Sequence, residues 1–236
     1  MINSGLPDAR MRGSNGGTEV TAGVRPPRGR PPRYSQEELL GLIVAVFNDR
    51  GYEATSMTDL AAATGLTKSA FYHHFSGKEQ LLRMAVDRAL DALSAALDRT
   101  ALDRTSETPG RPAVDRLEQA VRLTAQTLID ELPYVTLLLR IRGNTDVERA
   151  ALARRRAIDA RLADLVAAAA AGGQIRDDID PRLVSRLLFG MINSIHEWYR
   201  PDNRTGTRQA IVEAAVSISL GGLRLSCSPA SEARPT

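Results

Sequence analysis

Three Ser-x-x-acid motifs, Ser35-Gln36-Glu37-Glu38, Ser56-Met57-Thr58-Asp59 and Ser76-Gly77-Lys78-Glu79, fall between residues 35 and 79, and their spacing constrains the fold most tightly. In such a capping box the Ser hydroxyl accepts from the main-chain N–H of the fourth residue, while that residue's carboxylate accepts from the Ser N–H. Each box therefore marks a helix start. Leu40, Ile43, Val44 and Phe47 follow the first box at i, i+3, i+4 and i+7, one face of a helix that Gly51 ends. The second box opens a short helix closed by Gly65, and Leu66 to Ser69 lead into Ala70-Phe71-Tyr72-His73-His74-Phe75. The third begins a long helix with Leu82, Ala85, Val86, Ala89, Leu93 and Leu97 on one face. A tight glycine-containing turn between the second and third helices is the spacing of a helix-turn-helix, whose second helix can enter a DNA major groove. Spacing alone leaves open any small helical bundle with a sharp corner.

The remainder of the chain points to an all-α fold. Among 236 residues, 33 are Ala and 28 Leu, both strong helix formers, against 4% aromatics. Helical patterning is read over 113–131, 133–142, 146–171, 181–199 and 207–223, with no strand-like alternation and no internal repeat. The expected organisation is a basic arm at 1–34, a helix-turn-helix domain at 35–80, a helical ligand-binding and dimerisation domain at 81–225, and a tail at 226–236. No apolar run approaches the ~18 residues of a membrane span and no export signal is read, so a soluble, cytoplasmic protein is expected. The single Cys227 excludes an internal disulfide framework.

The net charge of +3 is unevenly placed. Residues 1–34 hold six Arg against Asp8 and Glu19, a local net of +4, which leaves −1 for everything else. The same stretch carries six Gly and five Pro with almost no large apolar side chains, the composition of an arm that cannot bury itself. Residues 35–80 are net −3, with three basic and six acidic residues. A DNA reader built on them depends on a few well-placed cations and on the arm.

Lys68 and Lys78 sit in the first turns of their helices, where the helix dipole disfavours a cation by roughly 0.3–1 kcal/mol. A bound phosphate reverses that argument, because main-chain N–H groups and an ammonium then converge on one anion. Thr67, Ser69 and Tyr72 add hydroxyl donors nearby, and no acid lies between Lys68 and Lys78. His73 and His74 raise the question of a metal or a catalytic base. Neighbouring residues on a helix point roughly 100° apart and no third ligand lies at metal spacing, so neither a metal nor a cofactor is expected. His74 is read as a packed or hydrogen-bonding residue and His73 as a DNA contact. No Ser, His and Asp stand in a recognisable nucleophile context, so the chain is not read as an enzyme.

Residues 36–82 resemble the DNA-binding domain of TetR/AcrR-family transcriptional regulators. The resemblance rests on Phe47, Gly51-Tyr52-Glu53-Ala54-Thr55-Ser56, Asp59-Leu60-Ala61, Ala63, Gly65-Leu66-Thr67-Lys68, Phe71-Tyr72-His73-His74-Phe75 and Lys78-Glu79 with Leu81-Leu82. It implies a homodimeric repressor whose C-terminal helices bind a small-molecule inducer and dimerise. Thr67, Lys68, Tyr72 and His73 then lie at groove-facing positions, Thr55 and Lys78 at phosphate-contacting ones, and Phe47, Leu60, Phe71 and Phe75 form a small core. In the arm, Arg28-Gly29-Arg30-Pro31 resembles the core of an AT-hook, whose arginines enter a narrow minor groove.

In the C-terminal half, Val184, Leu187, Leu188, Met191 and Ile195 form one stripe with Phe189 and Ile192 outside it, so this helix is buried on more than one side. Ile211, Ala214, Ala215 and Ile218 keep register before Gly221-Gly222, and both helices suit an intersubunit four-helix bundle. Glu197 to Asp202 and Ala215 to Gly222 resemble a subgroup of these regulators that includes sensors of acyl-CoA thioesters. Trp198 and Arg200 are therefore candidate ligand contacts, with Tyr134, Leu138, Phe189, Asn193 and His196 as further pocket candidates. Competing readings are an architectural DNA binder without an inducer, a drug-efflux regulator sensing hydrophobic cations, and an enzyme or carrier on a helical bundle.

Overall fold

The computed structural model describes residues 34–102, 112–201 and 206–224. Among these residues there are nine helices: α1 (Gln36–Arg50), α2 (Met57–Thr64), α3 (Lys68–His74), α4 (Lys78–Leu102), α5 (Ala113–Asp130), α6 (Leu132–Arg140), α7 (Asp146–Ala171), α8 (Pro181–Trp198) and α9 (Arg208–Leu223). The only β feature among them is an isolated bridge between Ile175 and Arg224. The fold is all-α, with the helix-turn-helix ahead of a C-terminal helical bundle. The basic arm, with Arg28 and Arg30, and the tail lie outside the described residues.

Two of the three capping boxes form as the sequence predicts. Ser35 Oγ accepts from the Glu38 N–H at 3.2 Å and Glu38 accepts from the Ser35 N–H at 2.7 Å, which holds its carboxyl below the usual range. Ser56 and Asp59 repeat the exchange at 3.2 and 2.9 Å. The third differs. The Ser76 N–H and Oγ–H both donate to Gln80 Oε1, at 2.7 and 2.9 Å, and α4 starts at Lys78, leaving Glu79 out of the cap. Gly51 and Gly65 end α1 and α2 at φ of 87° and 66°, a region that suits glycine.

The first four helices close around Leu39, Leu40, Ile43, Val44, Phe47, Leu60, Phe71 and Phe75, all buried, so the four residues expected to form the small core do so. Phe71 and Phe75 meet at 5.2 Å between ring centroids. Leu81, Leu82, Ala85, Val86, Ala89 and Leu90 continue this core along α4, while Leu93 is only half-buried. In the C-terminal half α5 is central, packing against α4, α6, α7, α8 and α9.

Polar contacts fasten α1 to α6. Arg88 on α4 donates to both Glu131 carboxylate oxygens, at 2.7 and 3.2 Å, and to Glu37 at 2.7 Å, with its guanidinium 4.3 Å from the Tyr134 ring centroid. At the other end of α1, Asn48 Nδ2 donates to the Pro133 carbonyl at 2.8 Å and Arg140 donates to the Asn48 carbonyl. Both ends of α1 are therefore tied to α6 and its N-terminal cap.

Candidate nucleic-acid interface

The reading surface is built on α3. Thr67 caps it, its hydroxyl accepting from the Ala70 N–H at 3.2 Å. Phe71 points inward and is fully buried, which fixes the rotation of this short helix. Lys68, Ser69, Tyr72 and His73, at i, i+1, i+4 and i+5, share the opposite face and are exposed, as is Thr67. Tyr72 is 45% exposed, a large apolar ring held in solvent with no packing reason for it. The face offers hydroxyl, ammonium and imidazole groups and no carboxylate, a donor-rich set that suits phosphates and base edges.

Three expectations need correction. Thr55 is 2% exposed and its hydroxyl donates to the Gly51 carbonyl at 2.7 Å, so it holds the α1–α2 turn instead of meeting a phosphate. Lys78 is not free: its ammonium donates to the Tyr52 and Glu53 carbonyls at 3.0 and 3.3 Å and lies 4.4 Å from the Tyr52 ring centroid. It ties the start of α4 to the same turn, leaving one of three donors for any phosphate. His74 is exposed instead of packed, with its ring 6.1 Å from those of His73 and Phe75. Among the described residues no group of three or more His, Cys, Asp or Glu is placed to hold a metal.

The contacts of the seven expected ligand residues, among the described residues, do not bring them together. Tyr134 is buried against Arg88, its hydroxyl accepting at 3.4 Å, and burial pushes its phenol pKa up. Leu138 is core, and Phe189 and Ile192 are the buried side of α8. Asn193 and His196 meet within α8, carbonyl to Nδ1 at 2.5 Å. Arg200 donates to the Tyr199 carbonyl at 2.8 Å, covering the end of α8. Trp198 lines an open groove, of about 280 Å³, with Met191, Ile195, Ile211 and Ile218 between α8 and α9. A polar group that sequence reasoning missed is Thr124 on α5, whose buried hydroxyl has no hydrogen-bond partner among the described residues. Patterning gave no signal for it, because a lone Thr on an apolar face is ordinary.

A capped short helix, a glycine turn and an exposed second helix seated on an aromatic core define a helix-turn-helix DNA-binding protein. Residues 39–85 match the model for bacterial regulatory proteins of the tetR family, and residues 110–223 match the tetracyclin repressor-like C-terminal domain. A TetR-family transcriptional regulator from Streptomyces coelicolor A3 is 49% identical, with a TM-score of 0.70 over 81% of this chain and 94% of that one. The chain belongs to the TetR family of transcriptional regulators. It is also 26% identical to the transcriptional repressor KstR2 of Mycolicibacterium smegmatis, over 81% of this chain and 92% of the relative. The structure of AibR in complex with isovaleryl coenzyme A and operator DNA is 27% identical, with a TM-score of 0.64 over 77% of this chain and 96% of that one. Among the described residues no helix is long and apolar enough to cross a membrane.

Proposed function

We propose that this protein is a homodimeric repressor that binds a pseudo-palindromic operator and leaves it when a small-molecule ligand binds the C-terminal helices. The observation that carries the reading is the exposed, acid-free face of α3, with Thr67, Lys68, Ser69, Tyr72 and His73 as the reading residues. Two such helices enter successive major grooves about 34–36 Å apart. The ligand is an acyl-coenzyme A or another lipophilic molecule. That class is supported by the acyl-coenzyme A bound in the related regulator. Such a ligand shifts the equilibrium only by binding the released state more tightly than the DNA-bound one.

Selection of bound sequences from a random DNA pool supplies the operator, and titration of variants against it tests the interface. Lys68→Ala and Tyr72→Ala should each lower operator affinity by about 1–3 kcal/mol, with little change in melting temperature because both side chains are exposed. Unchanged binding by both variants would sink the assignment of α3.

The arm extends the interface, with Arg28 and Arg30 in the adjacent minor groove. The helix-turn-helix domain is itself net acidic, so much of the counterion release on binding must come from the six arginines before residue 34. Deleting residues 1–33 should weaken binding and flatten the dependence of log affinity on log salt by several phosphate equivalents. An unchanged slope would make the arm a tail with no part in binding.

A further inference from the structure

A cleft of about 330 Å³, at the lower end of the range for small-molecule pockets, lies between the end of α1, the α1–α2 turn and the α6–α7 connection. Its apolar side is formed by Phe47 and Leu137, both buried, with half-buried Ile141. Three arginines line it from separate segments: Arg50 from the last turn of α1, Arg140 from the end of α6, and Arg142 from the connection. Arg140 is partnered by the Asn48 carbonyl, and Arg50 lies 4.0 Å from the exposed Asp49 carboxylate. The Arg142 side chain has no hydrogen bond or ion pair among the described residues; only its main-chain N–H is bonded.

Two acids border the same space. Glu148 is buried, and its Oε2 accepts from three main-chain N–H groups, of Arg142, Gly143 and Asn144, which fix the carboxylate in the connection, and none of the three arginine side chains is ion-paired to it. Glu53 is exposed. Tyr52 stands beside them. Burial, with the negative charges of Glu79, Glu53 and Glu148, pushes its phenol up to about 12, so it remains a hydrogen-bond donor at neutral pH. Its hydroxyl has no partner among the described residues, while its ring and carbonyl hold Lys78.

Arg140 is engaged in holding α1 to α6, but Arg142 lines the cleft without a side-chain partner among the described residues, and Arg50 has only a long contact to an exposed carboxylate. An oxyanion supplies the missing partner, since guanidinium groups recognise carboxylates and phosphates through paired N–H donors. We propose that this cleft binds a small amphiphilic anion, a carboxylate or phosphate monoester on a short hydrocarbon chain. The head group lies against Arg142, Arg50 and the Tyr52 hydroxyl, and the chain lies over Phe47 and Leu137. The cleft shares no lining residue with the α8–α9 groove.

Calorimetric titration of the full chain with octanoate, octyl phosphate, 1-octanol and inorganic phosphate, without DNA, tests this directly. Because no operator is involved, failure of the DNA-binding reading leaves the result intact. At least one of the two amphiphilic anions should saturate one site per chain about tenfold or more tightly than octanol or phosphate; which of them binds better identifies the head group. Arg142→Gln should weaken that binding about tenfold, the size of one charge-assisted hydrogen bond, at an unchanged melting temperature because the side chain is exposed and unpaired. Tyr52→Phe keeps the ring under Lys78 and should weaken it severalfold. No saturable binding of either anion, octanol binding as tightly, or equal affinity of Arg142→Gln and the unmodified chain would each overturn the proposal.

Discussion

Placing a carboxylate at both Leu187 and Ile218 is expected to split the protein into monomers and to lower operator affinity by about 100-fold or more. The basis is the two-sided character of α8 and α9. Val184, Ser185, Leu188, Phe189, Ile192 and Ile195 turn α8 into its own protomer, and Ile211, Val212, Ala215, Val216 and Leu220 do the same for α9. That leaves a second apolar face uncovered, on which Leu187 is 62% and Ile218 67% exposed beside Leu183 and Trp198. A Cβ built on Gly190, Gly221 or Gly222 would meet no atom within 4 Å, so these positions leave room for a second helix to approach closely. An exposed apolar patch of this kind is uncommon on a monomer, and in the proposed dimer a two-fold partner presenting the same face would cover it. Burying each large side chain contributes roughly 1.5–3 kcal/mol, and two-fold symmetry counts each position twice, so the double substitution places four carboxylates in an apolar contact. Loss of the dimer also removes the effective concentration that joins two half-sites, about 10²–10⁴ in affinity. Sedimentation and operator titration of Leu187→Glu/Ile218→Glu provide the check, with Tyr72→Ala as a control that should stay dimeric. A double variant that still sediments as a dimer would rule out this face as the interface.

Local signals made the helices legible, and distant pairings were not legible. Ser35, Ser56 and Gly65 carry short-range hydrogen-bond geometry, and Phe47 and Phe71 fall on apolar faces by period, so helix positions and the small core could be read directly. Thr55, through the family resemblance, and Lys78, through its place in a first helical turn as well, were expected at phosphates, because sequence shows a donor and not its acceptor. The carbonyls that hold them, Gly51 for one and Tyr52 and Glu53 for the other, become acceptors only once the α1–α2 turn has formed. Arg88 is a stronger case, since its partners Glu37 and Glu131 lie 51 and 43 residues away and no pattern ties them together. For α8 the stripe containing Leu187 and Met191 was visible, but periodicity cannot say which apolar face meets the protomer's own core and which is left uncovered. The candidate ligand residues fell apart for a related reason: a shared pocket is a property of several helices at once, and Tyr134 and Arg200 were already engaged by nearer partners.

Glu148→Ala is expected to cost about 3 kcal/mol, the largest loss of stability from removing one charged side chain here. Thr145-Asp146-Val147-Glu148 has the same Ser/Thr-x-x-acid spacing as the N-terminal boxes, and Thr145 Oγ1 does accept from the Glu148 N–H at 3.2 Å. The carboxylate departs from the usual capping exchange. It is 4% exposed, and its Oε2 accepts from the Gly143 and Asn144 N–H groups at 2.7 Å each and from Arg142 at 3.3 Å. One buried oxygen thus organises the entire α6–α7 connection, where Gly143 sits at φ 92°. Truncation strands three donors around a void, each costing roughly 1–3 kcal/mol where water cannot reach it; Asn144 is exposed and recovers part of its loss. For a chain of this size the melting temperature should fall by about 6–12 °C. Glu148→Gln separates geometry from charge: its carbonyl can stand where Oε2 stands and keep all three bonds, so it should lose only about 1 kcal/mol, the charge-assisted fraction. If Glu148→Ala melts within about 2 °C of the unmodified chain, the connection holds its shape without this carboxylate. An equal loss in Ala and Gln would instead assign the stabilisation to the negative charge and not to the convergence of three N–H groups on one atom.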